Sequence, residues 1–394
     1  MNSQLLASQQ ELITPDATLQ HRPSTGKTAF RFASYGRAII GHGQKATLDD
    51  QRVKRLGLGA AARQLLAEQE PGSILVGVVP FDDSSHAPFL FVPETYEELS
   101  MHDLPQADHV PPQITQVLGE YNPNFICAVG AAIDEIKART LSKVVLARTL
   151  EVIADSSWNS GTIWRRLYNQ NPAGHSFEIE LPHDGGIIVG NSPELIAGVR
   201  HGQLSSHPLA GSAPRMAEIS EDQETAAALA HSPKNLSEHQ FVVNHIVQKL
   251  RSVATNLRVP AQPDLLATGQ MWHLGTMIRA DLYKGLGSLD AALAIHPTPA
   301  ICGSPTEAAQ KLIAELEPTS RGFYGGLVGW MNQDGEGEWA LLLRSAKLNG
   351  TSALLHAGAG IVADSDSFDE HEETAAKFRT MLSALGIDTG AQAT

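Results

Sequence analysis

Glu370, Glu373 and Lys377 stand at i, i+3 and i+7 near the end of the chain, so on a helix they share one face. Two carboxylates a turn apart suit Mg²⁺, a hard cation that takes one or two carboxylates and completes its shell with water and substrate. The same spacing also serves plainer purposes. Glu370 lies three residues after Ser367, as in a capping box, and Glu373 with Lys377 makes an ordinary i,i+4 pair. Spacing alone leaves both readings open.

Arg344 falls in a strand-like stretch, on one face with Ala340, Leu342, Ala346 and Leu348. A guanidinium among apolar neighbours is costly unless an anion meets it, and a ligand carboxylate or a core glutamate would serve. Downstream, His356-Ala357-Gly358-Ala359-Gly360 has glycines where a strand should pack side chains. That pattern marks either close approach to a ligand or a bulge. Lys143 opens the apolar run Val144-Val145-Leu146-Ala147, where desolvation would favour a neutral amine able to take a proton; a lysine there can also snorkel outward. Glu194, before Leu195-Ile196-Ala197, would keep its proton in such surroundings and could give it up as a general acid. Together a lysine base, a glutamic acid, an arginine clamp and metal carboxylates describe chemistry on a small polycarboxylate.

These groups need elements to hold them. Strands are expected at 30–40, 73–80 and 88–92, followed by a loop over 97–113 rich in Pro, Asp and His. A helix with Ile126, Val129, Ile133 and Ile136 on one face precedes the strand 143–152. The stretch 185–206 reads as two strands interrupted by Asn191-Ser192-Pro193. Helices follow at 219–230, with a capping box from Ser220 and Gln223, and at 233–257, with Pro233 in its first turn. A meander over 323–331, 338–348 and 352–362 turns at Asn349-Gly350, and a helix over 368–385 closes the chain with Phe378, Leu382 and Leu385 on one face. Hairpins interleaved with helices indicate an α+β fold with antiparallel sheets.

Composition narrows the function. The 394 residues are 42% hydrophobic and 18% charged, enough for a substantial core, and the net charge of −14 offers no basic excess for nucleic acid or an anionic membrane. Only Cys127 and Cys302 are present, which excludes a disulfide framework and suits a reducing, cytoplasmic setting. No apolar run reaches membrane-spanning length, and residues 1–27 read as a polar, poorly ordered lead-in without a secretory layout. Residues 388–394 read as a frayed tail.

Six motifs then point to one family. Lys143-Val144-Val145-Leu146-Ala147-Arg148, Gly190-Asn191-Ser192-Pro193-Glu194-Leu195, Pro208-Leu209-Ala210-Gly211-Ser212-Ala213, His296-Pro297-Thr298-Pro299-Ala300, Gly325-Gly326-Leu327-Val328-Gly329-Trp330 and Ala357-Gly358-Ala359-Gly360-Ile361-Val362 resemble, in order, the chorismate-utilising enzymes. The resemblance runs from about residue 120 to 387. It implies one catalytic domain over 28–387, with a divergent part at 28–115 and the motif-bearing part at 120–387. It also implies two large antiparallel sheets with helices packed outside and a site in the cleft. Length and the His-Pro-Thr-Pro-Ala motif look like the isochorismate synthases that serve catecholate siderophores. The implied reaction removes the C4 hydroxyl of chorismate while water adds at C2. Lys143 would activate the water and Glu194 would protonate the departing hydroxyl. Glu238 and Glu373 would bind Mg²⁺, with Glu370 holding metal-bound water and Glu372 solvated. Arg344 would take a substrate carboxylate, beside backbone at Gly211, Ser212, Ala300 and Gly358 and the side chain of Lys377.

Within the resemblance, salicylate synthases go on to eliminate pyruvate, and menaquinone-pathway enzymes make isochorismate for another end. Relatives that add ammonia carry Thr or Gly-Ser where this chain has Pro299-Ala300, so no glutaminase partner is expected. Tyr324, His356 and Ile301 depart from the family pattern at pocket positions, and His273 matches a position near the leaving hydroxyl, though a hydrogen-bonded structural histidine would look the same. A relative that binds chorismate without turning it over would not need Lys143, Glu194, Glu238 and Glu373 together.

Overall fold

The computed structural model describes residues 27–82, 86–104, 110–183 and 185–387; the expected lead-in, apart from Lys27, and the tail lie outside them. Two large sheets face each other, and every pairing in them is antiparallel. The first runs from Gly303–Ser304 through Lys143–Ala154, Ser352–Ile361, Ser345–Asn349, Ile187–Ser192 and His175–Glu180 to Thr28–Ser34, Arg37–His42 and Thr95–Ser100. The second runs from Ala254–Arg258 through Ile278–Leu282, Gln203–His207, Leu195–Arg200, Gly337–Leu341 and Leu327–Asn332 to Ile74–Val79, Phe89–Val92 and Ala46–Thr47. This is the α+β architecture expected. Between the sheets, Phe30, Phe32 and Phe177 of the first interdigitate with Val76, Val78, Val328 and Ala340 of the second. Helices cover the outer faces: Ser160–Gln170 and Ser367–Leu385 lie on the first sheet, while Ser288–Ile295 packs on Leu195–Arg200 and Gly337–Leu341 of the second.

Several local expectations change, each for a physical reason. The stretch 30–40 is a hairpin, because Tyr35 and Gly36 take positive φ and turn the chain. The edge strand Thr95–Ser100 pairs with Arg37–His42 and takes up the first four residues, 97–100, of the expected loop. The helix from Pro233 stops at Leu250, and the chain turns into the strand Ala254–Arg258. Ser220 and Gln223 do not form a capping box: the helix Ile219–His231 is capped from Glu218 without a side-chain bond. Ser367 likewise does not cap the terminal helix; Asp366 does, accepting from the N–H groups of Phe368 and Asp369.

Two corrections matter most for function. The stretch 185–206 forms three strands, and its first two belong to different sheets: Ile187–Ser192 to the first and Leu195–Arg200 to the second. The stretch 338–348 is likewise not one strand. Gly337–Leu341 lies in the second sheet and Ser345–Asn349 in the first. The chain therefore crosses the gap between sheets twice, at Pro193-Glu194 and at 342–344. The crossings run side by side, with Asn191 N donating to Arg344 O (3.1 Å) and Leu341 N donating to Glu194 O (3.0 Å). Proline cannot donate to a ladder, so pairing ends at 193. At the other crossing Arg344 adopts φ of 47°, a left-handed conformation that breaks the strand.

A small third sheet, Leu209–Pro214, Met271–Gly275 and Asp264–Ala267, closes one side of the opening at these crossings.

Candidate active site

A cavity of about 250 Å³ opens where the crossings, the third sheet and two helices meet. All eleven residues singled out from the sequence line it: Lys143, Glu194, Gly211, Ser212, Glu238, Ala300, Arg344, Gly358, Glu370, Glu373 and Lys377.

Lys143 is buried at the start of its strand, and its Nζ donates to Glu238 Oε1 across 2.7 Å. The snorkelling alternative is excluded, because the side chain turns inward. Its neighbour Gly360 explains part of the glycine pattern. A Cβ there would come within 2.9 Å of Lys143 Cε and 3.3 Å of Glu238 Oε1. The glycines do not mark a bulge, since Ser352–Ile361 pairs with Lys143–Ala154 without a register shift. At Gly358 the added atom would meet Leu146 O at 3.0 Å and the Tyr324 hydroxyl at 3.2 Å.

Glu194 is buried on its crossing, with Oε1 unpartnered among the described residues. Burial raises its pKa to about 8, against the lowering pull of the Leu209 backbone and Lys143, so it holds a proton at neutral pH. Arg344, on the adjoining crossing, keeps a buried Nη1 without a hydrogen-bond partner among the described residues. Burial lowers its pKa while the Tyr324 and Glu373 side chains raise it. Among the described residues no glutamate forms an ion pair with it, which favours the anionic-ligand reading over a core pair.

The helices bring the acids. Within Pro233–Leu250, His239 places its ring between Ala210 O (3.1 Å) and Thr276 Oγ1 (2.7 Å), which fixes the helix face that presents Glu238. Burial works to raise the Glu238 pKa, but Lys143, Lys377 and Lys234 bring it below the ordinary carboxylate value. Arg148 docks the terminal helix: its Nε donates to Thr374 Oγ1 (2.7 Å), and its guanidinium lies 5.0 Å from the Phe378 ring centre. Next to that anchor, Glu373 pairs with Lys377 Nζ at 2.6 Å, and the same Nζ donates to Gly358 O at 2.8 Å. Glu370 is buried and accepts from Ser365 Oγ at 2.6 Å. Burial first and the Glu373 charge second raise its pKa to about 7. Glu372 is exposed and faces away, as expected.

Glu238, Glu370 and Glu373 form an all-oxygen donor set, the kind a hard dication takes. The repulsion between Glu370 and Glu373 is what such an ion relieves, so these residue types suit a hard divalent cation. Among the described residues no three metal-binding side chains are already gathered into a cluster. Each acid is instead held by a partner of its own.

Sequence reasoning from the residues alone missed Glu238, which looks like one more charge on a solvated helix. It also missed Lys234, an exposed residue on the cavity lining; its place four residues before Glu238 was the available signal. His273 is buried against the cavity with Nε2 unpartnered among the described residues, so a fully bonded structural histidine does not describe it. Tyr324 and His356 stack with ring centres 5.2 Å apart and form one wall. The lining carries Lys234, Arg344 and Lys377 and the paired Lys143 and Glu238, against Glu370 and Glu373, with Glu194 protonated. Such a cavity favours a substrate with more than one negative charge.

Residues 75–386 match the family model described as chorismate binding enzyme. Among curated relatives, the chain is 39% identical to a protein named as a provisional isochorismate synthase, MenF, of Mycobacterium tuberculosis, an alignment covering 88% of this chain and 95% of that protein. It is 37% identical to the isochorismate synthase DhbC of Bacillus subtilis, over 84% and 85%. Among solved structures, DhbC from Bacillus anthracis, described as a provisional 2,3-dihydroxybenzoate-specific isochorismate synthase, superposes with a TM-score of 0.83 at 35% identity, over 92% of this chain and 96% of that one.

Proposed function

Because the chain belongs to the chorismate-binding enzyme family, we propose that it is an isochorismate synthase, converting chorismate to isochorismate by adding water at C2 and expelling the C4 hydroxyl. The observation that carries this reading is the protonated, buried Glu194 facing the same small cavity as Lys143 and an unpartnered Arg344. Water is the nucleophile that a lysine base can activate, and a hydroxyl leaves readily only when an acid protonates it. Pro299-Ala300, where the ammonia users carry Thr or Gly-Ser, supports water and dispenses with a glutaminase subunit.

Lys143 takes the proton of the attacking water as the C2–O bond forms. Glu194 delivers its proton to the C4 oxygen as that bond breaks. Arg344 holds one substrate carboxylate with its fork, and the backbone at Gly211, Ser212, Ala300 and Gly358, with Lys377, lines the rest of the substrate envelope. The family is consistent with metal dependence, and Glu238 and Glu373 would hold Mg²⁺, with Glu370 behind them. When bound, the ion supplies positive charge against a second substrate carboxylate. The product would enter a route to 2,3-dihydroxybenzoate or salicylate siderophores. The free Cys127 and Cys302 suit the reducing cytoplasm, and among the described residues no helix is long and apolar enough to cross a membrane.

Incubation with chorismate and Mg²⁺ tests the reaction directly. Isochorismate is the expected main product, and Lys143→Ala is expected to abolish it while the circular dichroism spectrum stays unchanged. Salicylate with pyruvate as main products would replace the reading with a salicylate synthase. Undiminished turnover by the variant would remove Lys143 as the base.

A further inference from the structure

A second cavity of about 140 Å³ lies behind the inner wall of the active-site cavity, and Pro193, His273 and Arg344 line both. The rear chamber is bounded farther out by Asn171, Asn191 and Thr380, and reaches exposed residues at Gly269 and Ser383. Arg344 is its one charged lining residue. The Asn191 side chain is already satisfied, donating to Leu167 O (3.1 Å) and Asn171 O (3.0 Å) and accepting from Asn171 Nδ2 (3.0 Å). The unpartnered buried atoms, His273 Nε2 and Arg344 Nη1, belong to residues of the shared wall. A space of this size holds several waters but is much smaller than the cavity in front.

We propose that the rear chamber is the exit for the water released from C4, passing the wall between His273 and Pro193. The inference rests on the reaction proposed above. That reaction gains one water at C2 and loses one at C4. The attacking water's proton goes to Lys143, the Glu194 proton goes to the departing oxygen, the ring double bonds shift between the two carbons, and nothing is oxidised or reduced. A substrate seated from the front covers the opening by which it entered. The departing water is born beside Glu194, whose chain neighbour Pro193 already borders the chamber. The His273 ring offers that water a hydrogen bond on the way. Burial, with Arg344 and Lys377, drives the His273 pKa to about 3, so the ring stays neutral and does not compete for the substrate carboxylates.

Turnover in H₂¹⁸O separates this route from a structural role. Wild-type isochorismate should carry ¹⁸O at C2. Thr380→Phe narrows the chamber from the terminal helix without touching the front cavity. Water trapped at C4 should then return to C4 as the reaction reverses, so that chorismate recovered before equilibrium gains less ¹⁸O at C4 per turnover than with the wild type. Release would become limiting, with kcat reduced about fivefold and KM lowered with it. Gly269→Phe narrows the rim from the opposite side and should do the same; it serves alone if Thr380→Phe does not fold. Chorismate labelled at C4 as fast as with the wild type, with kcat unchanged in the folded variants, overturns the exit route and leaves the reaction standing. Absence of isochorismate from the wild type itself overturns the reaction, and the route with it.

Discussion

The two sides of the cavity are built on opposite principles. On the strand side, Glu194 and Arg344 sit on paired crossings between sheets, and each keeps a buried polar atom without a partner among the described residues. On the helix side, the acids are partnered: Glu238 by Lys143, Glu373 by Lys377 and Glu370 by Ser365. Strand ladders hold their side chains rigidly, so groups there can be kept unsatisfied until substrate arrives; such strain is stored where surrounding structure over-determines it. Helix-borne charges are set by neighbours and can exchange one partner for another. The strand side would therefore supply the proton transfers and the carboxylate fork, and the helix side the adjustable charge.

Three substitutions and one control test this contrast, in falling order of expected effect. Glu194→Gln removes the acid and should lower kcat by ~10²–10⁴-fold, as lost general acid catalysis does. It should also change how stability depends on pH. The folded carboxyl holds its proton up to about 8, against 4.5 for an ordinary glutamate, so the native state binds more protons across that interval. Wild-type stability therefore falls as pH rises from about 4.5 to about 8, and urea midpoints of the Gln variant should lose that slope. An unchanged slope would mean that Glu194 is ionised in the folded protein.

Next, Arg344→Met should reduce kcat/KM by roughly 10²-fold, since a buried charged hydrogen-bond partner is worth ~2–5 kcal/mol to a bound anion. The ligand-free melting temperature should hold or rise, because an unpaired buried cation is removed. A melting temperature several degrees lower would show that Arg344 has a partner in the free protein and would erase the contrast. The smallest effect is expected on the helix side. Glu238→Gln should raise the Mg²⁺ concentration for half-maximal activity by roughly tenfold or more. Glu372→Gln, exposed and turned away, should leave it unchanged. Activity of the Glu238 variant that survives EDTA would remove the metal assignment.

Much of the fold was legible, and particular residues show where legibility stopped. The apolar run after Lys143 predicts a strand because four consecutive apolar residues can be buried on both faces of a sheet. Asn349-Gly350 predicts the hairpin because a tight turn needs positive φ, and Gly350 takes 56°. The crossings were not legible. A strand that changes sheets keeps its alternation on both sides of the break, so 338–348 reads as continuous, and Arg344 seems to share a face with residues now in another sheet. The helix from Pro233 was overrun to 257 because Arg251 and Ser252 carry no strong stop signal. Glu238 and Lys234 lie among polar neighbours on a helix, where nothing local distinguishes a cavity from solvent.

Composition and pattern by themselves determined the α+β class, the terminal helix with its acidic face, and a set of groups suited to a small polyanion; the ordered motifs added the family. These depend on local periodicity and residue chemistry, which any short window contains. Tertiary structure alone decided which groups meet: Glu238 with Lys143 across 95 residues, and Glu194 beside Arg344 across 150. It also decided that Glu194 holds its proton and that Arg344 Nη1 has no partner among the described residues. Burial and partner distance are properties of the packed chain, and they set the charge on which the proposed chemistry depends.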